Sequence, residues 1–588
     1  MSPTTMKKAI SMNRPLLSLL TLGASVMLSA AVQAAAPGIT GPTFNLNATN
    51  GNLNQPDGNA VYAWGYGCSV APAGFQPAAI ANASCGLMQV PGPTLIVTEG
   101  QTVTVNLVNN LPVPAGNTSI LFPGFAVTTS CNAATPVGAV GLLTCEATPG
   151  ATVTYMFKAT TPGTRAYYSG TQSDLQVEMG LYGAIIVLPS SPPSVCTSGL
   201  PVTNVGGNKA AQAAWGEKDF RLQNASGATG AAYDHAKTCY DREYLFQFAE
   251  MDANIHKQAY AQVMALTSGP CASGTAVGCT LQVPTEPYHP SYFLINGRSM
   301  PDDMDPNYAA EYPNQPYNGN PHMHPGELTL IRVIGQGRWE HPFHEHANHV
   351  RILARDGNLI LSPDGQTLAG MLMFTTDTFP GQAFDGIFYF TGRGLNWDMY
   401  GHNPGSTDAL AKLTCTPDAN GYNTGAPTAV NYFEWCQDHN KPLESNPIGD
   451  VNAGGPMTLP NPNIFTNGAW YSGSPYLGPD ATLRADSTLV GAPVVTGDTA
   501  TNVAAGTNNA SGCVTGGAIT ANSGGTATPN CSNLQPSNVQ ANPANERGWA
   551  YMWHSHNERE ITTNNVFPGG MLMMMLVDSR EFVIDESK

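Results

Sequence analysis

Glycine and proline punctuate this chain too densely for any long uninterrupted element. There are 62 glycines and 47 prolines in 588 residues, almost one residue in five. In a helix interior glycine costs ~1 kcal/mol and proline ~3 kcal/mol relative to alanine. Coiled coils and helical repeats are therefore excluded, and short strands joined by turns are what remains. The strand signals are explicit. Thr102 to Val108 sets Val103, Val105 and Leu107 against Thr102, Thr104 and Asn106, the two-residue period of a half-buried strand. Glu327 to Ile334, Val350 to Ala354, Gly386 to Phe390 and Gly570 to Val577 are similar apolar runs bounded by turn residues. Helical periodicity is scarce, with Gly206 to Glu217 as one candidate. The pattern predicts an all-β chain built of β-sandwiches.

Charge narrows the partners. Charged residues make up 11% of the chain, against about 25% in an average soluble protein. The formal net charge of −17 argues against a nucleic-acid partner held through phosphates. The first residues read as a secretory signal peptide over 1–34: Lys7, Lys8 and Arg14, an apolar run from Leu16 to Ala31, then Val32-Gln33-Ala34 as a small-residue cleavage site. No later stretch offers about 18 uninterrupted apolar residues, so no transmembrane segment is expected, and the chain is expected to be periplasmic or secreted. Twelve cysteines in an exported chain read as disulfides. Their spacing suggests neighbour pairs: Cys68–Cys85, Cys131–Cys145, Cys196–Cys239, Cys271–Cys279, Cys415–Cys436 and Cys513–Cys531.

A faint repeat helps divide the chain. Pro91-Gly-Pro-Thr-Leu-Ile-Val and Pro325-Gly-Glu-Leu-Thr-Leu-Ile each place a turn before a strand of one type. Three sandwiches are expected, over 37–190, 191–320 and 321–588. The stretch 495–545, rich in Gly, Ser, Thr and Asn, reads as a surface insertion in the last of them.

Eight of the thirteen histidines are concentrated: His322, His324, His341, His344, His346, His349, His554 and His556. Two residues apart on a strand, side chains share a face. His344 with His346, and His554 with His556, are each a two-toothed grip for a metal. Imidazole suits copper, zinc, nickel and iron, and affinity order favours copper. His322 and His324 read as loop histidines. Met571, Met573 and Met575 share one face of the last strand, where packing in the core is the plainer reading than Cu(I) binding.

His341-Pro-Phe-His-Glu-His346 resembles the His-Pro-x-His-x-His signature of the multicopper oxidases, the laccase-like cupredoxin proteins. Trp553-His554-Ser555-His556 with Gly569-Gly570-Met571 is similar to that family's closing segment, and Pro91 to Leu95 and Gly180 to Val187 resemble its first-domain strands. The resemblance implies three cupredoxin-like Greek-key β-sandwich domains and copper as the cofactor. It implies His344, His346, His554 and His556 as metal ligands, with His341 from the blue (type 1) copper set. The departures fall on the ligands. Leu121-Phe122-Pro123-Gly124 and Tyr168-Ser169-Gly170 stand where the family's first two His-x-His pairs would be. Ser555 replaces the type 1 cysteine, and Glu560 the second type 1 histidine.

Two functions from different classes follow. One is a copper-binding protein, an oxidoreductase if catalytic, with a reduced, non-blue metal site. His349, Glu558 and Glu560 are near enough in sequence to join it. Laccase-type four-copper oxygen reduction is not expected, because a blue site needs a thiolate. The other is a metal-free cupredoxin scaffold with a binding or structural role in the cell envelope. The substrate class this leaves is a small molecule or a metal ion.

Overall fold

The computed structural model of the chain describes residues 36–197 except 78, 79 and 81, then 230–268, 271, 278–323, 327–390, 415–419, 421, 423, 436, 473–476 and 548–578. Their principal sheets form two face-to-face pairs, so the expected all-β sandwich class holds.

In the first pair, one sheet runs Gly163–Tyr168, Tyr182–Leu188, Leu95–Thr98, Gly38–Thr40 and Phe75–Gln76, in that order. The other runs Ala60–Cys68, Thr43–Asn54, Thr102–Asn109, Thr152–Lys158 and Thr128–Thr129. The alternation read over Thr102 to Val108 is realised: Val103, Val105 and Leu107 are buried between the sheets with Trp64, Tyr155 and Ile185. In the second pair, one sheet is centred on Arg242–Met251, Leu328–Gly335 and Ala383–Tyr389, with Tyr292–Ile295 at one edge and Val350–Arg355 beyond the other side. Its partner sheet runs His322–Met323, Leu572–Asp578, Gly548–Ser555, His341–Glu345 and Thr375–Thr378. Phe246, Phe248, Phe343, Trp553, Met573 and Met575 fill the space between them. Met571, Met573 and Met575 are thus core residues, as their alternation suggests.

The two pairs pack sheet to sheet. Ile96, Ala184 and Ile186 of the first meet Leu245, Ile334 and Ala383 of the second. Polar groups tie the seam: Thr164 Oγ1 donates to Asp385 Oδ1 at 2.6 Å, and the buried Arg332 guanidinium pairs with Glu243 and with Asp385. Both faces of Tyr182–Leu188 and Arg242–Met251 are covered, and every residue of both strands is buried. The His341–Glu345 sheet is consequently the one away from this seam.

The sheets do not follow the expected division at 320/321. Arg242–Met251 pairs in parallel with Leu328–Gly335 over seven residues, from Arg242↔Thr329 to Phe248↔Gly335. Strands from 191–320 and 321–588 therefore share one sheet and one core. The reason is physical: an apolar run shows that a strand is buried but carries no label for its partner.

The helix Ala253–Leu266 was not anticipated. Asp252 caps it by accepting from the Asn254 N–H at 2.8 Å, and Ile255, Ala259 and Val263 are buried at four-residue spacing. The candidate helix at 206–217, the insertion at 495–545 and Cys513–Cys531 lie outside the described residues. The other five expected disulfides are formed, each between sequence neighbours. Among the described residues no helix is long and apolar enough to cross a membrane.

Candidate metal centre

The His341–Glu345 strand lies between Gly548–Ser555 and Thr375–Thr378. Its register sets Phe343 opposite Ser555, His344 opposite His554 and Glu345 opposite Trp553. Directly opposed residues of an antiparallel pair share a face. Phe343 and Trp553 point into the core, so His344 and His554 stand together on the other face. His346 follows just past the strand. Its N–H donates to Met552 O at 3.2 Å and its carbonyl accepts from Trp553 Nε1 at 3.1 Å. Ala347 then turns the chain with a positive φ of 85°, an uncommon conformation for a residue with a Cβ.

Three imidazoles converge there. Ligating atoms of His344, His346 and His554 all lie within 4.8 Å of one another, and all three residues are buried. Nε2 of His554 is 3.2 Å from Nε2 of His346. Two nitrogens each ~2.0–2.1 Å from one ion at a tetrahedral angle are roughly 3.3 Å apart, so this pair has the separation of two ligands on one metal. His554 Nδ1 lies 2.6 Å from the Ser555 carbonyl. A carbonyl only accepts, so Nδ1 carries the proton and Nε2 keeps its lone pair toward the cluster. His344 Nδ1 is held by Thr375 Oγ1 at 2.7 Å.

Electrostatics favour the ligating form. Burial, then the charges of His554 and His556, push His344 down to about 4. Burial also lowers His554. Both are neutral near pH 7, as metal binding requires. Three convergent imidazoles are a donor set that fits copper.

The other expected ligands are placed differently. His556 is exposed at the mouth, its ring 4.9 Å from that of His344 and 5.4 Å from that of His554. His349 packs edge-on against Phe374 at 5.0 Å. Glu558 is exposed. His322 pairs in register with Leu576, and His324 lies outside the described residues.

His341 does not join the cluster. Strand alternation puts positions 341, 343 and 345 on the face opposite 344 and 346. Its two ring nitrogens are taken by carboxylates: Nδ1 is 2.8 Å from Glu560 Oε2 and Nε2 is 2.9 Å from Glu250 Oε2. Burial works to lower its pKa, but the hydrogen bonds and charges of Glu250 and Glu560 outweigh it and push the ring up to about 9. Glu560 also accepts from Ser555 Oγ at 2.5 Å and from Asn557 Nδ2 at 2.9 Å. Glu250 accepts from the backbone N–H groups of Arg338 and Trp339 and from the Tyr288 hydroxyl. The residues aligned with a blue copper site thus form a closed ionic network around an imidazolium.

Two participants escaped the sequence reading. Thr375 gives no signal outside the fold. Glu250 does: it is a carboxylate in the largely apolar run Leu245–Met251, and in the fully buried strand Arg242–Met251 it needs a buried partner.

Comparison with known proteins places the family match in the first sandwich. Residues 84–192 match the sequence model of a multicopper oxidase family, and they contain no histidine. The chain is 35% identical over 101 residues to laccase abr2 of Aspergillus fumigatus, covering 17% of this chain and 16% of that protein. It is 33% identical over 99 residues to an L-ascorbate oxidase of Brassica rapa subsp. pekinensis, again 17% and 16%. These alignments span about a sixth of each of those two relatives. Among solved structures, a blue copper oxidase from Nitrosomonas europaea aligns with 18% identity and a TM-score of 0.33, over 59% of this chain and 74% of that one. Residues 84–192 are thus similar to the multicopper oxidases over about a fifth of the chain.

Proposed function

We propose that this is an exported copper-binding protein that holds one copper at His344, His346 and His554. The observation that carries this reading is the convergence of three buried imidazoles within 4.8 Å on one sheet face. The family to which the first sandwich is similar supports copper as the metal. A bound copper would supply Lewis-acid or one-electron chemistry. The protein's part is to keep His344 and His554 neutral by burial, to orient them through Thr375 and the Ser555 carbonyl, and to present His556 at the entrance. Ser555 offers no thiolate and its neighbours are spent on an ion pair, so laccase-type oxygen reduction is not part of the proposal. Export is supported by the leader-like start and by five disulfides.

The test is metal content after expression into an oxidising compartment with copper. About one copper per chain is expected, and His346→Ala with His554→Ala should remove it. A copper-free wild type would overturn this reading. It would leave the metal-free scaffold, which the absence of histidine from 84–192 favours.

A further inference from the structure

The segment aligned with the family's first His-x-His pair does something else here. Ile120, Phe122 and Phe125 form one wall of a cavity of about 460 Å³ in the first sandwich. The wall is built, not incidental. The Phe122 ring packs on Phe157 at 4.8 Å and Tyr155 at 5.9 Å, while Phe125 stacks on Phe157 at 4.6 Å. Arg165 lies over the Phe125 ring at 4.8 Å and is not among the lining residues.

The facing wall is a hairpin, Ala139–Val140 with Cys145–Glu146. Its base is fixed by Cys131–Cys145 and by Ser130 Oγ donating to the Val137 carbonyl at 2.7 Å. Its tip carries Val140 and Leu142, 88% and 95% exposed, and Leu143, also exposed. Isolated apolar side chains on a surface are ordinary, but three on one hairpin tip beside an aromatic-walled cavity form a contiguous patch. No lining residue is charged, and the polar side chains there are those of Thr129, Asn132 and Thr144 together with the disulfide sulfurs.

We propose that this cavity is a binding site for a neutral, amphipathic small molecule, with the Val140–Leu143 tip as its apolar rim. The lining holds no charged side chain to act as counter-charge to an ion, which favours a neutral ligand. The volume lies in the ~300–1,000 Å³ range of small-molecule pockets, and an aromatic wall with a few polar groups is their usual make-up. None of the lining residues belongs to the histidine cluster, so binding here does not require copper.

The experiment titrates the full-length chain with neutral N-phenyl-1-naphthylamine, followed by fluorescence, beside an anionic naphthalene sulfonate. One saturable site per chain is expected for the neutral probe, with at least tenfold weaker binding of the anion. The double variant L142S/L143S should weaken neutral-probe binding at least tenfold with an unchanged thermal midpoint, because both side chains are exposed in the folded chain. No saturable binding, or binding indifferent to the double variant, would overturn the proposal. So would a dimer that the double variant dissolves, since a second copy would then be the occupant.

Discussion

A histidine held charged between two buried carboxylates makes the folded state sensitive to alkali. His341 is pushed up to about 9 in the folded protein, from an ordinary value of 6.5. The folded state therefore binds this proton more tightly than the unfolded chain. Its contribution to stability is complete below about pH 6.5 and is lost as pH rises toward about 9. At 1.36 kcal/mol per pH unit, the difference is about 3 kcal/mol. The ring is fully enclosed, so solvent does not screen it. Urea unfolding at about pH 6 and about pH 9.5 measures the loss, and His341→Gln supplies the reference because it keeps polar bulk without the titration. The wild type should lose about 3 kcal/mol more over this interval than the variant. At the lower pH the variant should itself be less stable by roughly 3–5 kcal/mol, the cost of breaking a buried ion pair. Equal pH dependence in the two proteins would refute the reasoning. So would an NMR titration placing His341 at or below its ordinary value.

Other perturbations follow from the same geometry. Ser555→Cys should not create an intense blue absorption on copper loading, because His341 and Glu560 remain bound to each other; a blue variant would contradict that network. Thr375→Val removes the partner of His344 Nδ1 and should weaken copper about tenfold or more, read by competition with a chromogenic chelator. With His344 lowered to about 4, protons compete poorly for that ligand. Copper should stay bound as the pH falls through the ordinary histidine range; release close to 6.5 would contradict the assignment.

Strand periodicity exposed the fold class because alternation reports which face is buried, and the run at Thr102 to Val108 became the strand Thr102–Asn109. It did not expose sheet membership. The parallel pairing of Arg242–Met251 with Leu328–Gly335 joins segments about 85 residues apart, and nothing local encodes it. The histidine cluster was legible where side chains follow the two-residue rule: His344, His346 and His554 converge. His341, which the resemblance implies as a type 1 copper ligand, instead has both ring nitrogens on carboxylates. Its partners Glu250 and Glu560 come from distant segments, so only the fold reveals that the imidazole is enclosed. The helix after Asp252 carried a cap and a four-residue apolar spacing, a signal masked by its neighbourhood of strands.

Copper K-edge X-ray absorption on the copper-loaded chain tests the central claim most directly, because it counts and identifies the atoms around the metal. Three or four imidazole nitrogens at about 2.0 Å, with no sulfur scatterer, are predicted from His344, His346, His554 and the neighbouring His556. A copper–sulfur shell, or a spectrum unchanged after His346→Ala and His554→Ala, would contradict it.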